Sequence, residues 1–91
     1  MFDLNDLRKS IDLIDSAIIN LLAERMRVVK KVGERKRESK IPPLDEKRWK
    51  DVLNSKKSMA KEVGLEESLV EEIWNSIHRH ALKIENEEDN S

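Results

Sequence analysis

Leu4, Leu7, Ile11, Ile14, Ile18, Leu21, Val28 and Val32 follow one another in helical steps, with Arg25 in the one skipped position, and no proline interrupts them before Pro42-Pro43. That spacing predicts a single helix from residue 4 to about 39, begun by Asp3 or Asn5 as a cap and stopped by the double proline. Proline lacks the amide donor and biases the residue before it away from helix. A helix of about 35 residues is about 52 Å long, whereas a compact globule of this chain length is roughly 30 Å across. One chain cannot cover such a rod. The expectation is an all-α fold in which the long N-terminal helix projects beyond its own globule and buries its stripe against a second copy, giving an intertwined helical homodimer with antiparallel long helices. Gly33 lies inside this helix at a cost of roughly 1 kcal/mol against alanine, which points to close approach of another group.

Two shorter helices follow. Asp45 is placed to cap one over about 45–63, whose inner face carries Trp49, Val52, Leu53, Met59, Ala60 and Val63, with Gly64 as its stop. A third, over about 66–86, opens with Glu66, Glu67, Glu71 and Glu72, which suit the positive end of a helix dipole, and turns Leu69, Val70, Ile73, Trp74, Ile77, Ala81 and Ile84 inward. Residues 87–91 read as a frayed tail. With no repeat and no linker, residues 1–91 read as a single three-helix domain. Two glycines, two prolines and 3% aromatic residues fit helices and argue against a sheet. Charged residues reach 41%, but the net charge is only −1 and the apolar positions are periodic, so a packed structure is favoured over disorder. The same balance argues against a nucleic-acid partner, and the basic run KKVGERKRESK is broken by Glu34 and Glu38 with no aromatic interleaved. There is no cysteine and no apolar run of signal-peptide or membrane-span length, so the expected setting is cytoplasmic, with no membrane partner.

The charges on the long helix carry the functional argument. Arg25 and Lys36 are eleven residues apart, close to three full turns, and so leave the rod on nearly the same side about 16 Å apart. Two long cationic side chains leaning together leave a gap suited to a small dianion. Arg8 is about 25 Å from Arg25 along the axis, too far to share one small ligand within a chain but not within an antiparallel dimer. Arg48 follows the double proline by a few residues, so the reversal returns it towards Lys36. Guanidinium groups bind carboxylates bidentately and an ammonium acts as a point charge, so this set suits two carboxylates on one molecule. Solvated surface charge is the plainer reading for most of the eighteen lysines and arginines. Glu85 falls four residues past Ala81 on the inner side of the third helix, where loss of water favours the neutral acid, a hydrogen-bond donor; a surface glutamate near a frayed end is the alternative. His78 and His80 are two apart, about 200° around a helix, so they cannot chelate one metal and read as surface or interface residues. No metal site emerges.

The segments LRKSIDLIDSAIINLLAER, VVKKVGERK and LDEKR, followed by a third helix bearing Glu85, resemble the all-helical class of chorismate mutase. The resemblance covers nearly the whole chain and rests on the joint spacing of Arg8, Arg25, Gly33, Lys36, Asp45, Arg48 and Glu85. It implies an intertwined homodimer with two shared sites and the rearrangement of chorismate to prephenate in aromatic amino-acid biosynthesis, without a cofactor. It implies Lys36, Glu85 and Arg25 as catalytic residues. Arg8 would be donated by the other chain, Arg25 and Arg48 would bind carboxylates, and Lys36 would contact a carboxylate and the ether oxygen. Asp45 matches a residue near the ring hydroxyl, Ala81 a position that helps hold the ring carboxylate, and Glu85 one beside the ether oxygen. One position departs: directly after Arg48 many members carry a glutamate that hydrogen-bonds the ring hydroxyl, and here stands Trp49. Its spacing to Val52 and Leu53 is that of a core position. The related isochorismate-pyruvate lyases also lack that glutamate, so a lyase-like activity is the nearest alternative. A non-catalytic helical dimer or regulatory module is the alternative from another class, and a partner enzyme of the same pathway is left open.

Overall fold

The computed structural model describes residues 3–87. They form three α-helices, α1 (Leu4–Glu38), α2 (Glu46–Glu62) and α3 (Glu67–Glu87), and among the described residues there is no strand. Of the expected tail, Glu87 ends α3 and residues 88–91 lie outside the described residues. No helix of the described chain is long and apolar enough to cross a membrane.

Asp3 caps α1, its Oδ1 accepting from the Asp6 amide at 2.9 Å, and Asp45 caps α2 in the same way, accepting from the Arg48 amide at 3.0 Å. Both helices end alike. After α1, Lys40 adopts a left-handed conformation (φ 58°), its amide donates to the Arg37 carbonyl at 3.1 Å, and the Ile41 amide reaches back to the Lys36 carbonyl at 2.7 Å. After α2, Gly64 (φ 79°) and Leu65 repeat that pattern onto Lys61 and Ala60. These are Schellman closures, which satisfy the last carbonyls and favour glycine at the left-handed residue. Helix α1 therefore ends at Glu38 and is closed by Lys40 and Ile41, directly ahead of Pro42-Pro43.

Short connections make successive helices antiparallel, so α1 and α3 run in the same sense. Helix α3 is the middle element, packed on both α1 and α2, which do not pack on each other. The buried apolar residues, Ala60, Val70, Ile77 and Ala81, lie on α2 and α3, and α1 contributes only Gly33 to the interior. The molecule measures 57 × 28 × 15 Å, the long dimension being that of α1. Leu4, Leu7, Ile11, Ile14 and Ile18, the first half of the α1 stripe, are each half or more exposed.

Candidate active site

Because α1 and α2 stand apart on either side of α3, a cavity of about 200 Å³ opens between them. Helix α1 lines it with Arg25, Val29, Val32 and Lys36, a four-three-four spacing that selects one narrow face. Asp45, Arg48, Trp49 and Val52 come from α2, and His78, Ala81, Leu82 and Glu85 from α3. Every site residue expected from sequence is thus brought to one cavity except Arg8, which lies on the exposed first half of α1. Leu21 and Val28, counted with the same α1 stripe, point elsewhere and are 64% and 54% exposed.

The Lys36 end of the cavity is the most ordered. Its ammonium donates to the Pro43 carbonyl at 2.6 Å and sits 2.9 Å from Glu85 Oε1. The second contact is an ion pair by charge and distance, but its angles are not those of a hydrogen bond. Glu85 is only 7% exposed, so this pairing decides whether a buried carboxylate is tolerated. Two features seat Glu85: the Arg37 guanidinium donates from Nη1 to its backbone carbonyl at 3.1 Å, and Gly33 lets its backbone approach. A Cβ on Gly33 would lie 3.1 Å from Glu85 Cα. Glycine is favoured there by space, not by backbone angle, since a Cβ would make α3 give by a few tenths of an ångström.

At the other end, Arg25 Nη1 is buried without a hydrogen-bond partner among the described residues. A buried guanidinium N–H is costly to leave unmet, so the geometry suits an anionic ligand. Asp45 presents a divided carboxylate, with Oδ1 committed to the α2 cap. Arg48 is exposed at the cavity edge.

His78, read from sequence as a surface or interface residue, is half-buried in the cavity wall, while His80 is exposed. The His78 imidazole stacks on the Trp49 indole with centroids 3.9 Å apart and planes 7° from parallel. Trp49 does occupy the inner face of α2, yet its ring also forms cavity wall. Burial pushes the His78 pKa below its ordinary 6.5; Glu85 pulls the other way, and Arg25 and Lys36 add to the lowering. The signal available in the sequence was the spacing of His78 to Ala81 and Glu85, three and seven residues on, which puts all three on one face of α3.

With this geometry in hand, the similarities to known proteins are specific. The chain matches the family Chorismate mutase type II over residues 7–86. It is 34% identical over 77 residues to the chorismate mutase of Methanocaldococcus jannaschii, covering 85% of this chain and 78% of that protein. It is 32% identical over 85 residues to the T-protein of Enterobacter agglomerans and 30% identical over 84 residues to that of Haemophilus influenzae, covering 93% and 92% of this chain. The chain spans only 23% and 22% of the length of those two proteins. No solved structure matches it at a comparable level of significance. The family match takes in all but the outermost ends of α1 and α3 and includes every cavity residue, and the chain belongs to the chorismate mutase type II family.

Proposed function

We propose that this chain rearranges chorismate to prephenate in the cavity between α1 and α2. The reading is carried by Arg25, whose Nη1 is buried without a partner among the described residues, lining the same cavity as the anchored ammonium of Lys36. Chorismate carries two carboxylates. Arg25 and Arg48 bind them, and Lys36 serves the ether oxygen on which negative charge grows as the C–O bond breaks. An ammonium has three protons. Pro43 takes one in a hydrogen bond and the Glu85 carboxylate holds the ammonium by charge, which fixes the lysine and leaves protons for the substrate. Glu85, when it carries a proton, donates to the same oxygen. The reaction is unimolecular, so confinement of the substrate in its compact conformer supplies the rest of the acceleration.

The site is completed by a second copy. Residues of α1 from Leu4 to Ile18 find no cover in their own chain, and an antiparallel pairing of two such rods covers them and delivers Arg8 to the neighbouring cavity. The arrangement is an intertwined homodimer with two shared sites.

The test is loss of chorismate ultraviolet absorbance on adding purified protein, with Lys36→Ala as the deficient variant. Removing a preorganised donor of this kind costs about 3 kcal/mol or more, or roughly a hundredfold and upward in kcat. Lys36→Ala also strands the Glu85 carboxylate, so the double variant Lys36→Ala/Glu85→Gln is the control for folding. A folded dimer that leaves chorismate untouched at every pH would refute the proposal.

A further inference from the structure

One cavity feature is not used by the reaction as proposed. His78 lies seven residues before Glu85 on α3, about 10 Å along the axis, and therefore at the Arg25 end, because α1 and α3 run in the same sense. Its imidazole is clamped flat against Trp49 across the α2–α3 seam. Among the described residues no hydrogen bond reaches either of its ring nitrogens. A half-buried imidazole whose nitrogens have no protein partner among the described residues, aligned by stacking and lining a ligand-sized cavity, is arranged to meet a ligand at its edge.

We propose that His78 is a substrate-contacting, specificity-determining residue that reads the hydroxyl on the substrate's ring, and that Trp49 is the positioning residue that aims it. Stacking removes the ring's rotational freedom, so its nitrogens are presented along a fixed plane. A neutral imidazole offers one donor and one acceptor. A hydroxyl also offers both, whereas a carboxylate only accepts. The polar contact that a glutamate directly after Arg48 would supply from α2 is thereby supplied from α3, and the aromatic residue at position 49 becomes the support. Burial and the nearby Arg25 and Lys36 both favour the neutral ring, although Glu85 opposes them.

The inference rests on the mutase reading, and the experiment separates the two. Chorismate is compared with the analogue bearing hydrogen in place of the ring hydroxyl, by kcat and KM and by calorimetric binding, in the wild-type chain, His78→Phe and Trp49→Leu. One hydrogen bond to the hydroxyl predicts about tenfold preference for chorismate in the wild type. His78→Phe keeps a flat stacking partner and should erase that preference by slowing chorismate about tenfold while leaving the analogue unchanged. Trp49→Leu should reduce the preference part of the way. His78→Gln, which keeps a donor and an acceptor, should restore part of it and serves if His78→Phe does not fold. Equal losses on both ligands in His78→Phe, or an unchanged preference, would overturn the proposal. If neither compound reacted with the wild type, the mutase reading would fall, and the binding preference would still decide whether His78 reads the hydroxyl.

Discussion

Gly33→Ala probes the seat of the ion pair with a single carbon. The added Cβ would meet Glu85 Cα at 3.1 Å, Glu85 Cγ at 3.2 Å and Arg37 Nη1 at 3.4 Å. The nearest of these is backbone and cannot rotate away, so α3 must back off by about half an ångström to restore ordinary carbon contact. Lys36 lies one turn further along α1, and its 2.9 Å contact with Glu85 lengthens accordingly. At an effective dielectric of about 20 the pair weakens by roughly 0.8 kcal/mol. Alanine regains about 1 kcal/mol of helix propensity, and overpacking costs about 1–3 kcal/mol. Net stability should therefore fall by about 1–3 kcal/mol, within reach of a urea titration. Activity should suffer more. If a displacement of about 1 Å costs on the order of a hundredfold, half of it costs about tenfold in kcat/KM, read from the decay of chorismate absorbance. A variant with a higher denaturation midpoint and undiminished kcat/KM would show that the helices relax without moving Glu85, and the account of Gly33 as the seat of the site would be wrong.

Glu85→Gln keeps a hydrogen-bond donor beside the ether oxygen and should retain activity, whereas Glu85→Ala should lower kcat/KM; equal rates in the two variants remove Glu85 from the mechanism. Mixing inactive Arg8→Ala with inactive Arg25→Ala should recover activity through heterodimers, and failure under proven subunit exchange would mean that the sites are not shared. Gly64→Ala should cost about 1 kcal/mol of stability with full activity, because the left-handed turn is open and only the backbone objects, while Lys40→Gly should gain up to about 1 kcal/mol. Denaturation midpoints decide both. The lowered pKa of His78 means that the unfolded chain binds its proton first as pH falls. Stability is then complete above pH 6.5, the ordinary histidine value, and declines below it, and His78→Phe should show a smaller decline between pH 7.5 and 5.5 in matched urea titrations.

The helical class and the cavity face of α1 were legible because both rest on local periodicity. Arg25, Val29, Val32 and Lys36 share a face by spacing alone, and no tertiary knowledge is needed to group them. Arg48 and Asp45 were legible through the double proline, which forces a reversal after α1. Contacts between helices were not. That His78 stacks on Trp49 depends on the α2–α3 register, which neither its two-residue spacing to His80 nor its seven-residue spacing to Glu85 encodes. The left-handed Lys40 was hidden as well, since lysine carries no turn signal and the prolines beside it offered a sufficient reason for the helix to end. The role of Arg37 was equally silent, because its partner is a backbone carbonyl forty-eight residues away.

The charge balance of the cavity links the separate proposals. Arg25, Lys36 and Arg48 face Asp45 and Glu85 there, so one chain offers a formal excess of a single positive charge. A dianion asks for more. Arg8 from a second copy would add one positive charge, and a proton on Glu85 would remove one negative charge while turning an acceptor into a donor. Each adjustment alone brings the cavity level with its ligand, and only the two together leave charge in reserve for an oxygen that becomes negative in the transition state. The length of α1 thereby acquires a chemical purpose. In the proposed dimer, the same rod that carries Arg25 and Lys36 on its second half would bring Arg8 on its exposed first half to a neighbouring cavity that is short of a cation.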